Sequence, residues 1–474
     1  MPTSSTRPRR GQVLLRASLA LFAGFAVFSA CMWYSTRTRF VADADLTQEL
    51  AKAEFVEEAA PPTGAGWPQW RGFRRDGVAF APDLLTEWPS NGPPRLWSED
   101  ITGLDGFSTF AVAGDRAFTM GRKDDDEVVL CFRPDTGETV WEKRYDPRFD
   151  VGGKKSFDPA KEREHLEYGD GPRATPALDG GRVYTVGATG RLQCRRAEDG
   201  ELLWEHSLLP EYGAPNLRWG FACSPLIDGG LVFVNPGGPG GKSLAAFDKE
   251  SGKEVWKGQD DAAGYSSPVA ITVEGERQIV FFTADSLVGV AARDGAARWR
   301  FRWDTEHGVN AATPIPFRAK VGSKERQYLF ISSGYNKGCA LVALVPKAGG
   351  GHDARAVFDS NFFCSHYGSP IRVGDHVYGF NETTLVCMSL RTGQVVWKQS
   401  GYKKGSLLAV GEYLLVLGED GKLALLKASP EGPEVVAEDR RAMPHKCWTM
   451  PVLADGRLLL RDQDAIRCLD MRKK

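Results

Sequence analysis

Several chemistries are absent from this chain of 474 residues. It contains no adjacent cysteines, no Cys-x-x-Cys motif, no phosphate loop, no Rossmann glycine pattern and no Ser-His-Asp arrangement. Three of its seven histidines, His307, His366 and His445, lie far apart without ligand spacing, so no metal site is predicted. Because residues 41–474 carry 54 basic and 61 acidic side chains, with no basic stripe, a nucleic-acid surface is not expected either.

The first 40 residues differ from the rest, with six arginines and no acidic residue. An uncharged stretch at 17–34 follows four of these arginines, and at helical rise it covers roughly 27 Å, about the hydrocarbon thickness of a bilayer. The positive-inside bias then predicts a single-pass anchor in the inner membrane, with the following chain on the periplasmic side. A lipoprotein processed at Cys31 is the alternative, since Phe28-Ser-Ala-Cys31 resembles a lipobox.

Residues 41–66 form a separate segment that is acidic and then rich in Pro and Gly. This composition predicts a linker, partly helical or disordered, between the membrane and the body. The body is predicted to span residues 67–474.

A tryptophan four residues after a glycine, inside an acidic turn, recurs through the body. The copies end at Trp141, Trp204, Trp256, Trp299 and Trp397. The steps are 63, 52 and 43 residues, and the last gap of 98 holds two further steps. Such periods are typical of propellers and solenoids, and each repeat alternates short apolar strands with Gly/Asp turns. Four antiparallel strands per repeat predict the blade of an all-β propeller.

The blade count is a second prediction from the repeats. Eight repeats begin in the body, and the last, at 451–471, has only three strands. The orphan segment Pro94-Arg-Leu-Trp97 resembles a fourth strand, so we expect an N-terminal strand to complete blade eight and close the ring. Charged inserts at 146–172 and 318–326 without periodicity predict surface loops.

Structural roles are predicted for the repeat residues. Glycine supplies the positive φ of the turn, and the Trp buries its ring against the neighbouring blade. The predicted docking residues are Trp97, Trp141, Trp204, Trp256, Trp299 and Trp397. Cys131, Cys194 and Cys387 each lie six residues before the repeat glycine, where other copies have Ala or Gly, so they predict a small buried position rather than a disulfide framework. A bond among Cys223, Cys364 and Cys447 stays open.

The loops that lead into the inner strands are rich in aromatic and polar residues, and by symmetry they converge on one mouth of the central channel. The candidate binding residues there are Tyr168, Asp170, Arg173, Trp219, Tyr265, Asn310, His366, Tyr367, Lys404 and Trp448. A concave surface of mixed polarity is where ligands usually bind. In the alternative, the rings only fill the channel and the cations solvate its rim. No catalytic residue is predicted.

The Asp-x-x-Thr-Gly-x-x-x-Trp pattern resembles the tryptophan-docking repeat of pyrroloquinoline-quinone (PQQ)-like propellers, over about residues 67–472. The chain is similar to non-catalytic members, including the outer-membrane protein assembly factor BamB and PQQ-binding-like β-propeller repeat proteins. Trp67-Pro-Gln-Trp-Arg-Gly72 is similar to the opening segment of such envelope proteins. The resemblance implies eight blades. Quinoprotein dehydrogenases of this family use a vicinal Cys pair, a bound Ca²⁺ and a catalytic Asp, and this chain has neither adjacent cysteines nor calcium-loop spacing.

These features together favour a membrane-anchored, extracytoplasmic, monomeric propeller that binds envelope proteins or an extended peptide, without a cofactor. The first alternative is a PQQ- and Ca²⁺-dependent oxidoreductase, and the second is a sensor of a small ligand at the channel mouth.

Overall fold

The computed structural model describes residues 39–59, 61–147, 150–151, 154–155 and 171–473. Two compact units divide the chain, Met1–Phe40 and Val41–Lys474, and the fold below is that of the second. The apolar stretch at 17–34 and Cys31 lie outside the described residues. Within the described ones, no helix is both long and apolar enough to cross a membrane.

Eight blades of four antiparallel strands form the body, as the repeat count predicts. In chain order, the first three blades contain strands Ala111–Ala113, Arg116–Lys123, Asp126–Phe132 and Thr139–Tyr145; Ala177–Asp179, Arg182–Val186, Arg191–Arg196 and Leu202–Ser207; and Leu226–Asp228, Leu231–Val234, Leu244–Asp248 and Glu254–Gly258. Blades four to six contain Val269–Val273, Glu276–Phe282, Ser286–Ala291 and Ala297–Arg302; Ile315–Val321, Lys324–Ser333, Gly338–Pro346 and His352–Ser360; and Ile371–Val373, His376–Asn381, Thr384–Ser389 and Val395–Gln399. Blade seven contains Ser406–Val410, Tyr413–Leu417, Leu423–Lys427 and Val435–Asp439, and blade eight contains Val452–Ala454, Arg457–Arg461 and Ala465–Asp470.

Strand Arg95–Asp100 completes blade eight and closes the ring, because it pairs antiparallel with Ala465–Asp470 and places Trp97 opposite Cys468. In each blade the first strand is the inner one and the last is the outer one. The inner strands contact one another across blades, and the second and third strands are the most buried, whereas the outer strands expose alternate residues. Closure leaves no open edge between the first and last blades.

The hydrophobic core is divided among the seams between blades. One buried cluster joins blades two and three, another joins three and four, and another joins five and six. This distribution follows from the repeat, since each sheet must cover its apolar faces with its neighbours.

Tryptophans dock across most of these seams. The indole N–H groups of Trp97, Trp141, Trp204, Trp256 and Trp397 donate to a carbonyl in the turn of the next blade, at 2.8–3.1 Å. Trp299 differs, because its N–H donates to the Gln278 side chain in its own blade at 2.8 Å. The repeat glycine also makes room for the ring: Gly252 has φ 74°, and a Cβ there would lie 2.6 Å from Trp204. The eight cysteines of the described chain are free and buried, including Cys223, Cys364 and Cys447.

The loop prediction for 318–326 is wrong. These residues belong to the first two strands of blade five, where Phe317 and Ala319 are buried and Arg318 faces outward. The alternation of charged and apolar residues is itself the period-two signal of a strand. Within 146–172, a short hairpin forms from Asp150–Val151 and Lys154–Lys155.

Residues 41–66 contain the helix Ala44–Ala51, capped by the Asp43 side chain, which accepts from Leu46 N at 3.1 Å. Leu46 and Leu50 pack in the core between blades five and six. Strands Phe40–Ala42 and Glu54–Phe55 lie at the two edges of the blade-five sheet. The second described helix, Leu208–Tyr212, follows the outer strand of blade two.

Residues 67–79, here called the base segment, cross the channel at the far ends of the inner strands. Trp67 exchanges two backbone hydrogen bonds with Val112 of blade one, and strand Val78–Ala79 runs parallel to the inner strand of blade seven. Between them, Arg75 donates to the Ser224 and Pro225 carbonyls of blade three, and Arg71 donates to the Pro370 carbonyl of blade six. The channel is therefore closed at this end.

Candidate functional site

A cavity of about 200 Å³ occupies the open end of the channel. Its wall comes from loops that lead into the inner strands, and its floor is Trp70 of the base segment. The Trp70 indole N–H donates to Thr313 Oγ1 at 2.8 Å, which fixes the ring. Small residues, among them Ser224, Ser267 and Ser369, also line the cavity. The cavity is a closed cup rather than a pore.

Seven rings, here called the aromatic collar, line the cup: Phe107, Trp219, Tyr265, Tyr335, His366, Tyr367 and Trp448. Neighbouring rings touch around the rim. The Tyr335–His366, Tyr367–Trp448 and Phe107–Trp448 centroids lie 5.0–5.3 Å apart, and Trp219 and Tyr265 form a separate pair at 5.7 Å. These separations are in the range of favourable aromatic pairing, so each ring holds its neighbour in place.

Two polar atoms of the collar are bound to the surrounding loops, whereas the buried Nδ1 of His366 has no hydrogen-bond partner among the described residues. Trp448 Nε1 donates to Glu419 Oε1 at 2.9 Å, and the Tyr367 hydroxyl donates to the Lys404 carbonyl at 3.0 Å. Because the Trp448 and Tyr367 groups are satisfied within the protein, these two residues offer mainly their ring faces to a ligand.

Cations stack on the collar. The Arg173 guanidinium lies 5.7 Å from the Phe107 ring, Arg218 lies 5.2 Å from Trp219, and Lys446 lies 4.1 Å from Trp448. Distances of this size suit cation–π attraction. The rim therefore combines apolar surface with positive charge.

Burial shifts the pKa values of titratable collar residues. The pKa of Tyr367 is raised well above its usual range, by burial first and then by the Glu419 charge. The pKa of His366 is lowered, by burial and by Lys404, with Glu382 opposing. His366 is thus neutral at neutral pH and presents a ring rather than a charge.

Most of the predicted binding residues that the structure describes meet at this cavity, namely Arg173, Trp219, Tyr265, His366, Tyr367 and Trp448. Asn310 does not line it: its amide donates to the Thr283 and Ala284 carbonyls at 2.7 and 3.1 Å and so ties loops together beneath the rim. Lys404 does not line the cavity either, and its ammonium lies 3.7 Å from Glu382 Oε2. Tyr168 and Asp170 lie outside the described residues.

Three contributors were missed from the sequence. Phe107 stands at a blade opening like the others, so the same loop pattern contained the signal for it. Tyr335 comes instead from the turn between the second and third strands of blade five, with φ 54°, and no repeat position marks it. Trp70 reaches the site only because the base segment enters the channel, which the repeat pattern does not reveal.

These features define a class: an eight-bladed, tryptophan-docked propeller whose channel is blocked at one end and lined by aromatic rings at the other. The family described as outer membrane protein assembly factor BamB matches residues 95–399. Since this match covers more than half of the chain, the protein belongs to that family. No curated protein matches it in sequence.

Solved structures show the same fold at low identity. The quinohemoprotein alcohol dehydrogenase of Comamonas testosteroni superposes with a TM-score of 0.63 at 13% identity, over 91% of this chain and 84% of that one. BamB from Moraxella catarrhalis gives a TM-score of 0.54 at 15% identity, over 80% of this chain and 99% of that one. The quinohemoprotein alcohol dehydrogenase ADHIIG from Pseudomonas putida HK5 gives a TM-score of 0.61 at 12% identity, over 91% of this chain and 82% of that one. At these identities the likeness extends to the fold alone.

The quinone and calcium of PQQ-like dehydrogenases can be tested against the donors in the cup. Calcium takes six to eight oxygen ligands with carboxylates prominent among them. Among the described residues that line the cavity, the side-chain oxygens are the hydroxyls of four serines and three tyrosines, with no carboxylate or amide. Nor do the described residues bring three His, Cys, Asp or Glu side chains together elsewhere. The residues of the cup do not fit this cofactor pair.

Proposed function

We propose that this protein is a binding module of the bacterial cell envelope, and that the aromatic collar holds an apolar group presented by a partner protein or extended peptide. The observation that carries the proposal is the cup itself. A recess lined by rings that pack on one another offers binding surface at little ordering cost. Aromatic residues are also enriched where one protein anchors in another.

Membership of a family named for outer-membrane protein assembly supports an envelope role. We further propose the topology expected from the N-terminal residues, with a single inner-membrane anchor and a periplasmic propeller. Protease treatment of spheroplasts should then digest the body while the membrane is intact. Full protection of the body would contradict this topology, and a Cys31→Ser variant that leaves the membrane would favour the lipoprotein alternative.

The binding role is tested by photocrosslinking in intact cells. A benzoylphenylalanine residue at Arg218, which stacks on the collar, should give a discrete adduct. The matched control places the same group at Phe73, an exposed ring of the base segment at the other end of the channel. An adduct at 218 that disappears when Tyr265 and Trp448 are replaced by Ala supports the proposal. Equal labelling at both positions, or none at 218, would refute it.

A small ligand is the second candidate, because a cavity of about 200 Å³ is of single side-chain size and partly enclosed. Native mass spectrometry of the purified full chain would then detect a bound small molecule that the Tyr265→Ala variant lacks. A wild-type mass without any adduct would leave only the protein-binding role.

A further inference from the structure

Three serine hydroxyls that line the cup also join neighbouring blades. Ser224 Oγ accepts a hydrogen bond from the Thr175 N–H of blade two at 2.9 Å, and Ser267 Oγ accepts one from the Ser224 N–H at 3.0 Å. In the same way, Ser369 Oγ accepts a hydrogen bond from the Thr313 N–H of blade five at 2.9 Å. All three serines are buried. Their hydroxyl oxygens therefore hold the beginnings of inner strands together.

Each of these three hydroxyls still has a proton to donate. A serine hydroxyl provides one donor and two acceptor lone pairs, and the bond from the backbone uses only a lone pair. Within the described chain, none of the three donates a hydrogen bond in return. The fourth serine of the cup, Ser406, differs because its hydroxyl reaches the Thr449 carbonyl at 3.5 Å. The cup thus presents O–H donors for which the described protein supplies no acceptor.

A positive charge lies against the backbone of the first of these serines. The buried Arg75 guanidinium donates to the Ser224 carbonyl at 3.1 Å and to the Pro225 carbonyl at 2.9 Å. Its remaining printed partner is the neutral side chain of Gln69, and no described carboxylate lines the cup. Because little water screens a buried charge, this guanidinium favours an anion in the adjoining space.

The shape of the cup limits what such an anion is attached to. Its volume is about 200 Å³, its other walls are mainly aromatic, and Trp70 closes its floor. A ligand that fills it needs an apolar body for the rings and an acceptor group for the serines. A carboxylate accepts several hydrogen bonds and carries a single charge to match Arg75. A phosphate carries up to two charges at neutral pH and would lose more hydration on burial.

We infer that the group held in the cup is an apolar carboxylate, whose oxygens accept hydrogen bonds from Ser224, Ser267 and Ser369 while its apolar part lies among the collar rings. This inference rests on the proposed binding role of the cup and names the chemistry of the ligand. Two sources supply that chemistry: the free C-terminus of a polypeptide that ends in an apolar residue, and a small apolar acid. The closed floor admits a chain end, whereas a chain that passes through the channel is excluded.

The test is a fluorescence titration of the purified full chain in detergent with two matched pairs of probes. Hydrocinnamate is compared with its amide, and a tetrapeptide ending in phenylalanine is compared with its C-terminal amide. In at least one pair, the acid should bind about tenfold or more tightly than the amide. A preference in the peptide pair assigns the site to a C-terminus, and a preference in the small pair alone assigns it to a small acid.

Two outcomes of the titration would overturn the inference and still differ in what they say about the proposed function. If amide and acid bind equally, and Trp448→Ala abolishes both, the cup is an apolar site without a preference for carboxylate. If no probe binds, the carboxylate is excluded as well, and the crosslinker at 218 tests the partner-binding role separately.

Serine variants connect the preference to the unused protons. Ser267→Ala should lower the ratio of amide Kd to acid Kd about tenfold. Ser332→Ala is the matched control, because Ser332 Oγ accepts from the Ser365 N–H at 2.9 Å but donates its own proton to the Phe363 carbonyl at 2.9 Å, and it does not line the cup. The control should lose similar stability and keep the ratio. If Ser267→Ala does not fold, Ser369→Ala makes the same test in blade six.

The charge is tested by Arg75→Met and Arg75→Lys. Arg75 does not line the cup, so loss of its charge should weaken the binding of the acid and leave the affinity for the amide within about twofold. The lysine variant retains the charge and should restore part of the preference. A ratio that is unchanged in the folded serine variants, or an Arg75→Met variant that weakens acid and amide equally, would overturn the inference.

Discussion

The two ends of the central channel are built from similar residue types but differ in burial and in the role that we assign to them. At the base, residues 67–79 bury Trp67, Arg71 and Arg75 and bond to opposite sides of the ring. At the mouth, the collar rings are partly exposed and their polar atoms turn outward. At the base, aromatic and basic side chains hold blades together. At the mouth, the same residue types form a partly exposed surface that a ligand or partner could contact. Burial, rather than residue type, separates the structural role from the proposed binding role.

The buried arginines show the difference most clearly. Burial lowers the pKa of Arg71 to about 10 and that of Arg75 to about 9, so both remain charged at neutral pH. Neither forms an ion pair within the described chain, and carbonyl oxygens take their place. A guanidinium that donates to carbonyls of separate blades acts as a crosslink across the channel.

The largest effect is expected from removing the buried ring at the base. Trp67→Ala should lower the free energy of unfolding by about 3–5 kcal/mol, because it leaves a cavity where the chain enters the channel. Urea denaturation followed by circular dichroism measures this loss. The matched change at the mouth, Trp219→Ala, should lower the free energy of unfolding by about 1 kcal/mol or less, since its side chain is partly exposed. Equal losses at the two positions would break the comparison.

A smaller loss is expected from the arginine crosslink. Arg75→Met should lower the free energy of unfolding by about 1–3 kcal/mol, because the buried Ser224 and Pro225 carbonyls lose their hydrogen-bond donor. Arg74→Met is the control one residue away, where the side chain is paired with Asp76 near the surface and a change within about 0.5 kcal/mol is expected. If both variants unfold at the same urea concentration as the wild type, Arg75 is not a crosslink.

At the mouth, binding should change while stability does not. Tyr265→Ala with Trp448→Ala should remove the adduct formed by a crosslinker at 218, with a loss of unfolding free energy below about 2 kcal/mol, as is usual for partly exposed side chains. Thermal unfolding of the same samples checks that the propeller is intact. A variant that both loses the adduct and unfolds would show that the collar is part of the structural core.

The smallest effect concerns pH. Because the pKa of His366 is lowered in the folded protein, its unfolded state binds more protons at mildly acidic pH. The stability that His366 contributes is therefore present above its unfolded pKa of about 6.5 and is lost as pH falls through the lower folded value. The difference in Tm between the wild type and His366→Phe should shift in favour of the variant from pH 7.5 to pH 5. A constant difference across this range would show that His366 is not held neutral.

The sequence predicted the repeat, and through it the blades, because each blade is a local unit with its own turn glycine and apolar alternation. It also predicted six of the cavity residues, because loops at equivalent positions of a ring must converge. The failures share a different origin. Trp70 reaches the cavity from the base segment, and Tyr335 reaches it from an irregular turn. Asn310 does not line the cavity, because its side-chain amide donates to backbone carbonyls below the rim.

By itself, then, the sequence determined the number of sheets, the strand that latches the ring and the convergence of the loops, since all three follow from periodicity along the chain. Only the tertiary structure decided which end of the channel is closed, that the closing segment comes from residues 67–79, and that Trp299 bonds within its own blade. Those outcomes depend on contacts between residues hundreds of positions apart, such as Arg71 with Pro370. Periodicity carries no information about such contacts, because they join unique segments to the repeats rather than repeats to one another.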